Sequence, residues 1–184
     1  MKMITVISGS YGLLSRLNGL VDYAVHTLKP AFHVSVIHVH QLPPAALIAA
    51  NSHDPEITAA NCLVAESDGV IVVTPTFKAA YSGILKTYLD LLPQHALADK
   101  VVLPLAIGGS PAHVLVLNYA LQPVLSELGA QRIIHGVYVL DRQISKNETS
   151  FSLDREAAGR LDPALQQFAA ALEQNPLHTL TIKN

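Results

Sequence analysis

The sequence predicts an α/β fold: a three-layer sandwich with helices on both faces of a five-stranded parallel sheet. Short β-branched runs alternate five times with amphipathic stretches. The central run, residues 70–73, is apolar at every position, as in a strand buried on both faces. Since no repeat or linker divides the chain, we expect one domain over residues 1–174 and a loose C-terminal tail over 175–184.

Each predicted strand is a short run rich in Val, Ile and Leu that ends at a turn. Because parallel strands require long crossovers, the intervening helices are expected to make right-handed connections. Residues 141–152 are polar and without period, so we expect a surface loop there. The predicted strands cover residues 3–7, 32–39, 70–73, 101–107 and 132–140.

Three helices are predicted in the first part of the chain from capping residues and periodicity. Ser15 can cap a helix whose apolar side chains recur every three or four residues until Pro30. Pro44 opens a short helix ending near residue 50. Asp54 and Pro55 are typical of an N-cap followed by the first helical position, and this helix extends to about residue 66.

The second part of the chain carries a helix at 81–92 and a long uncharged stretch at 101–126. Prolines and glycines divide this stretch, so it indicates a strand, a turn and a helix rather than a membrane span. Its helix is apolar on nearly all faces, which predicts a subunit interface. Pro123 cannot donate to the Tyr119 carbonyl, which predicts a kink or π-bulge there. In the last helix, Asp162-Pro163 indicates a kink or a fresh start.

Composition restricts the classes of function. Net charge is −2 without a basic block, so a nucleic-acid partner has no electrostatic support. Charged residues make up 14% of the chain, below the roughly 25% usual for soluble proteins, which favours an oligomer. Cys62 is the only cysteine, which excludes an internal disulfide and suits a reducing cytoplasm. His38 and His40 share a predicted strand face, but nothing nearby in sequence completes a metal site.

Three loops follow the first, third and fourth predicted strands and carry the candidate site. The first, residues 8–18, places Ser10, Ser15 and Arg16 near a helix N-terminus, where an anion such as a phosphate can bind. It matches neither the Walker nor the dinucleotide glycine pattern. The second offers Pro75 and an aromatic ring, and in the third the glycines allow a flat ring close to backbone. Each loop alone could be an ordinary turn; together they predict a site for a phosphate joined to a flat ring.

Two segments, TPTFKAAYSGILKTYLDLLP and KVVLPLAIGGSPAHVLVLNYALQPVLSELGAQ, resemble the NAD(P)H-dependent FMN reductases of the flavodoxin-like fold. The resemblance runs from residue 3 to about 138 and is closest to the reductase components of two-component alkanesulfonate monooxygenases. It implies a strand order of 2-1-3-4-5, FMN and NADPH as ligands, and a homodimer or homotetramer. It also implies a flavin-dependent monooxygenase as partner, and hydride transfer from nicotinamide to flavin N5.

The resemblance implies roles for particular residues. It places the FMN phosphate at Ser10, Ser15, Arg16 and the backbone near Leu17. It places the isoalloxazine edge along Pro75, Thr76, Phe77 and Lys78, and the pyrimidine end near Gly108, Gly109 and Ser110. The chain departs from the family where Tyr11-Gly12 replaces a usual arginine and Phe77 a usual tyrosine. Because hydride transfer needs positioning rather than proton transfer, no catalytic acid, base or metal ligand is named.

Other functions remain open at this point. A flavoprotein that retains FMN and reduces quinones, azo compounds or metal oxyanions is the main alternative. A non-enzymatic electron-carrier flavodoxin is disfavoured, because such proteins are typically strongly acidic and lack an uncharged helix of this kind. A response-regulator receiver is excluded, since it needs an acidic cluster after the first strand and an Asp after the third.

Overall fold

The computed structural model describes residues 1–148 and 150–174. The strands of its main sheet are β1 Met3–Ser8, β2 His33–His38, β3 Gly69–Phe77, β4 Ala80–Tyr81, β5 Val101–Gly108, β6 Arg132–Ile133 and β7 Val137–Leu140. The parallel strands lie in the order β2-β1-β3-β5, and both β6 and β7 pair with β5. The short strand β4 runs antiparallel to the end of β3.

The predicted fold class is confirmed, with two differences in the strands. The five parallel positions follow the predicted order, but the fifth is interrupted between Ile133 and Val137. The second difference is β4, because the strand predicted at 70–73 is longer and its end pairs with a short second strand. β3 continues to Phe77 and reverses through Lys78 and Ala79, which both have positive φ (51° and 61°). This tight reversal makes a β-hairpin where a plain loop was predicted.

Helices cover both faces of the sheet. The helices are α1 Leu17–Leu28, α2 Pro44–Ile48, α3 Pro55–Glu66, α4 Gly83–Leu89, α5 Gln122–Glu127 and α6 Arg155–Glu173. On one face, α1 and α6 pack against the side chains of alternate strand residues such as Ile71 and Val73. On the other face, α3, α4 and α5 pack against Val70 and Val72.

Of the two predicted helix caps, Asp54 is confirmed and Ser15 lies one residue before the N-cap of its helix. The Asp54 carboxylate accepts hydrogen bonds from the N–H groups of Glu56 (2.9 Å) and Ile57 (3.5 Å), as predicted for α3. Ser15 is displaced by one residue: Arg16 is the N-cap of α1, and the Ser15 hydroxyl accepts from the Leu17 N–H at 3.3 Å. Local sequence therefore located both helix starts to within about one turn.

The uncharged stretch at 101–126 divides as predicted. It forms β5, a 3₁₀ turn at Pro111–His113, a π-helical segment at Leu117–Leu121 and the first part of α5. The predicted π-bulge is confirmed, since the N–H of Gln122 donates to the Leu117 carbonyl. Among the residues described, none of the helices has the length and hydrophobicity that spanning a bilayer demands.

The π-helical segment and the residues just before it leave a large apolar surface uncovered within the chain. Val114, Leu115 and Tyr119 expose 49%, 55% and 77% of their surface. Within one chain, the helix is therefore not buried on all sides. A cluster of exposed large apolar side chains of this kind marks an interaction surface.

The predicted surface loop at 141–152 is wrong. After a 3₁₀ turn at Asp141–Gln143, the chain forms an antiparallel hairpin from β8, Ile144–Lys146, and β9, Phe151–Leu153. The hairpin forms because Ile144 and Phe151 pack on Gly19 of α1, a contact between residues far apart in sequence. The loop composition gave no sign of this contact.

Three further predictions concern chain ends and breaks. The second strand ends at His38, so His40 lies in a 3₁₀ turn, Val39–Gln41, rather than on the strand face. The last helix continues through Pro163 from Arg155, so the fresh start at Asp162-Pro163 is wrong. The predicted tail at 175–184 lies outside the described residues.

Candidate functional site

A cleft of about 450 Å³ lies at the carboxyl ends of β1, β3 and β5, within the range of small-molecule sites. All three candidate loops contribute to it. Six residues named from the sequence line this cleft: Ser15, Arg16, Pro75, Thr76, Phe77 and Gly108. The other lining residues are Leu14, Ile107, Asp141 and Lys146. The structure therefore brings the three loops together as one site.

The N-terminus of α1 forms one end of the cleft. Its first turn contains no acidic residue, and a cation, Arg16, occupies the N-cap. The backbone N–H groups of Leu14 and Arg16 make no hydrogen bond to any part of the chain that the structure describes. Free N–H groups at the positive end of a helix dipole bind anions, so this end suits a phosphate.

Arg16 is held in place by the β8–β9 hairpin. Its Nε donates to the Ile144 carbonyl at 3.1 Å, across 128 residues of sequence. The terminal guanidinium nitrogens have no hydrogen-bond partner among residues 1–148 and 150–174. Because guanidinium can donate two parallel hydrogen bonds to a phosphate, Arg16 is positioned and still free to bind one.

Buried hydroxyl groups fix the second loop against the first. The Ser82 hydroxyl donates to the Gly9 carbonyl at 2.8 Å, and the Ser82 N–H donates to the Thr74 hydroxyl at 2.9 Å. Phe77 is 53% exposed and meets Tyr11 edge to face, with ring centroids 5.8 Å apart at 61°. These contacts hold an aromatic ring at the cleft on a fixed hairpin.

The third loop is built around Tyr138. Its hydroxyl donates to the Ser110 carbonyl at 2.9 Å, and a Cβ added at Gly108 would collide with that hydroxyl. Burial raises the pKa of the Tyr138 phenol. The space that a Cβ at Gly108 would need is thus occupied by the Tyr138 hydroxyl, which requires glycine at this position.

The other five residues named from the sequence do not line the cleft directly. Ser10 is buried, with its hydroxyl donating to the Gly12 carbonyl at 2.8 Å, so it shapes the first loop. The Leu17 side chain lies in the core, and Lys78 is at the exposed turn of the β3–β4 hairpin. Gly109 and Ser110 follow Gly108, and the Ser110 hydroxyl accepts from the Ala112 N–H at 3.2 Å.

Sequence reasoning missed Asp141 and Lys146, two charged residues that line the cleft. The Asp141 carboxylate lies beside Gly109, 3.6 Å from the position of an added Cβ. Asp141 directly follows the last parallel strand, so the carboxyl-end rule that located the other loops could have found it. Nothing local to Lys146 marks it as a site residue.

The fold is that of a flavodoxin-like protein, and its cleft lies at the carboxyl ends of the parallel strands, with Arg16 at one end and Phe77 on its wall. The family model for NADPH-dependent FMN reductases matches residues 2–144. The chain is 43% identical over 176 residues to FMN reductase (NADPH) of Escherichia coli K12, covering 95% of this chain and 91% of that one. It is 40% identical over 177 residues to FMN reductase (NADPH) of Pseudomonas putida KT2440, covering 95% and 90%.

Among solved structures, the apo form of an NADH:FMN oxidoreductase (EMOB) superposes with a TM-score of 0.86. It is 36% identical in sequence and covers 96% of this chain and 92% of its own. The chain belongs to the NADPH-dependent FMN reductase family. The predicted family and the predicted enzyme class, an NAD(P)H-dependent FMN reductase, are confirmed, and FMN and NADPH are the ligands of that class.

Proposed function

We propose that this enzyme binds FMN in the cleft between its three loops, reduces it with NADPH, and releases reduced FMN to a partner monooxygenase. The observation that carries the proposal is the single cleft with a cationic end at α1 and aromatic, apolar walls from Phe77, Pro75 and Ile107. This combination fits a phosphate monoester joined to a flat ring, in a chain of the FMN reductase family.

At the cationic end, the FMN phosphate is assigned to the Ser15 hydroxyl, the Arg16 guanidinium and the backbone around Leu17. The free N–H groups of Leu14 and Arg16 belong to this set. Ser10 acts one step away, because its hydrogen bonds with Gly12 set the shape of the loop. The donors present are those that phosphate groups require, so the residues fit the ligand.

At the other end, the isoalloxazine ring is assigned to Pro75, Thr76, Phe77 and Lys78, and its pyrimidine edge to the Gly108, Gly109 and Ser110 loop. The exposed face of Phe77 offers a flat apolar surface. FMN supplies the hydride acceptor, and the role of the protein is to hold the rings in position and exclude water. The chain therefore needs no side chain that transfers a proton.

The experiment that tests the proposal is NADPH oxidation under air, with and without added FMN, on protein whose visible spectrum is recorded as purified. A colourless protein that is active only with added FMN supports FMN as a substrate. A yellow protein that needs a quinone rather than free FMN supports a reductase that retains its flavin. Protein that binds no flavin in either assay refutes the proposal.

The release of reduced FMN to a monooxygenase is supported by the resemblance to reductase components of two-component alkanesulfonate monooxygenases. A chain 29% identical over 142 residues is named NADH-dependent FMN reductase SfnF of Pseudomonas putida. A direct test couples the purified protein to an alkanesulfonate monooxygenase and measures sulfite release. We place the reaction in the cytoplasm, because the lone Cys62 suits a reducing compartment.

We also propose a homodimer or homotetramer that buries the exposed apolar side chains before and within the π-helical segment. Val114, Leu115 and Tyr119 would bury their exposed surface against a second copy, and the low charge content agrees with this. Light scattering on the eluting protein measures the mass directly. A monomer of 19.7 kDa at assay concentration would contradict the proposal.

A further inference from the structure

The β8–β9 hairpin brings a second cation to the anion-binding end of the cleft. Lys146 lines the cleft together with Ser15 and Arg16, although it lies 130 positions after Arg16 and beyond the residues matched by the family model. Its side chain is exposed. Neither Lys146 nor Arg16 forms an ion pair with any residue in 1–148 or 150–174.

Packing determines which way Lys146 faces. Residues two apart on a strand share a face, so Lys146 lies on the same side of β8 as Ile144, which is buried against α1. Phe151, the cross-strand partner of Lys146, also packs on Gly19 in the first turn of α1. The lysine is thus on the hairpin face that covers the start of α1.

Hydrogen bonds at its base hold the hairpin in this position. The Ile144 carbonyl, two residues before Lys146, accepts from Arg16 Nε at 3.1 Å. Buried Gln143 accepts from the Leu140 N–H at 3.1 Å and from Arg160 Nη2 at 2.6 Å. The Asp154 N–H donates to the Gln143 carbonyl at 2.9 Å, which closes the base of the hairpin.

The electrostatics of this arrangement call for an anion. A cation near a helix N-terminus is unfavourable, and here two cations lie beside a first turn that has no acidic residue. Among residues 1–148 and 150–174, Asp141 is the one carboxylate that lines the cleft, and it lies beside Gly109 in the third loop. A dianionic group at the α1 end would relieve the repulsion between Arg16, Lys146 and the helix dipole.

We propose that Lys146 is a binding residue for a phosphate monoester at the Arg16 end of the cleft. The proposal rests on the proposed function, in which two ligands carry a phosphate monoester: FMN has a 5′-phosphate and NADPH has a 2′-phosphate. Riboflavin and NADH lack these groups and are otherwise matched. Lys146 therefore determines specificity for the phosphorylated form of one of the two ligands.

The test compares wild-type protein with Lys146→Met, Lys146→Arg and a control, Lys29→Met, which removes an exposed lysine just beyond the other end of α1. Dissociation constants are measured for FMN and riboflavin, and KM for NADPH and NADH. For Lys146→Met we expect about tenfold weaker binding of one phosphorylated ligand, as for loss of a charged hydrogen bond. Its unphosphorylated counterpart should be unaffected, Lys146→Arg should restore most of the affinity, and Lys29→Met should match wild type.

The pattern of losses identifies the source of the phosphate. A loss for FMN but not riboflavin assigns the flavin phosphate, and a loss for NADPH but not NADH assigns the nucleotide phosphate. Equal losses for phosphorylated and unphosphorylated ligands, or none, would overturn the inference. Wild-type protein that binds no flavin would instead overturn the proposed function, and the inference with it.

Thermal melting of the ligand-free protein separates binding from a structural role. Since Lys146 is exposed and faces other positive charge, Lys146→Met should leave the melting temperature unchanged or slightly higher. A lower melting temperature together with weaker binding of every ligand would show that Lys146 supports the hairpin, and would refute the proposal.

Discussion

The close packing of Gly108 against Tyr138 predicts that a side chain at position 108 will destabilise the protein. A Cβ at Gly108 would overlap the Tyr138 hydroxyl and approach Thr76 Cβ at 3.2 Å. Tyr138 has little room to move, because it is only 6% exposed and its hydroxyl is bonded to the Ser110 carbonyl at 2.9 Å. We expect Gly108→Ala to lower the free energy of unfolding by about 1 to 3 kcal/mol, the usual cost of overpacking.

Removing the hydroxyl should relieve the collision. Tyr138→Phe alone is expected to cost about 1 kcal/mol, because the Ser110 carbonyl loses its donor. The double variant Gly108→Ala/Tyr138→Phe should then be more stable than the sum of the two single effects, by about 1 kcal/mol or more of coupling. Gly109→Ala is the matched control for stability: its added Cβ would lie 3.6 Å from Asp141, an ordinary contact, so its free energy of unfolding should match that of wild type.

Urea denaturation of the four variants and wild type, followed by circular dichroism, measures these differences. Among Gly108→Ala, Tyr138→Phe and the double variant, the FMN dissociation constant should rise in the order in which the free energy of unfolding falls. Gly108 lines the cleft, so the collision that destabilises the chain also moves the third loop. If Gly108→Ala is as stable as Gly109→Ala, or if Tyr138→Phe gives no rescue, the steric reasoning is wrong.

Three further predictions concern binding, capping and pH. Arg16→Ala should weaken FMN binding at least tenfold, through loss of a charged phosphate contact, with kcat little changed; a collapse of kcat at saturating FMN would contradict the assigned role. Asp54→Ala should destabilise by about 1 kcal/mol in urea melts, because α3 loses its cap, and an unchanged midpoint would refute this. Burial, and then His40, lower the pKa of His38. Below about pH 6.5 the unfolded chain therefore binds more protons than the folded chain, so the free energy of unfolding should fall as the pH is lowered. His38→Asn should flatten this pH dependence, and an unchanged slope of unfolding free energy against pH would refute the prediction.

Local sequence was sufficient for the parts of the fold that depend on neighbouring residues. The buried runs identified the parallel strands, because only strands covered on both faces are apolar throughout. Asp54 marked the start of α3 through bonds to residues two and three positions away. The π-helical segment followed from Pro123, whose missing N–H leaves the Tyr119 carbonyl without its usual partner.

Predictions failed where distant residues decide the structure. The segment 141–152 has the composition of a loop, but Ile144 and Phe151 find a surface on Gly19 and the segment pairs as a hairpin. The chain after β3 forms a second hairpin because Lys78 and Ala79 adopt positive φ. Positive φ is usually signalled in a sequence by glycine, and neither position is glycine. In both places a tertiary contact or strand pairing outweighed local preference.

The sequence by itself determined the α/β class and the three loops that follow its strands, since these depend on hydrophobic periodicity and local motifs, and its resemblance to a known family supplied the sheet order. Only the tertiary structure decided which of the named residues face the cleft, why Gly108 must be glycine, and that Lys146 joins Arg16. The reason is physical: the Arg16–Ile144 hydrogen bond and the Tyr138–Ser110 hydrogen bond join residues 128 and 28 positions apart, and no local pattern encodes such contacts.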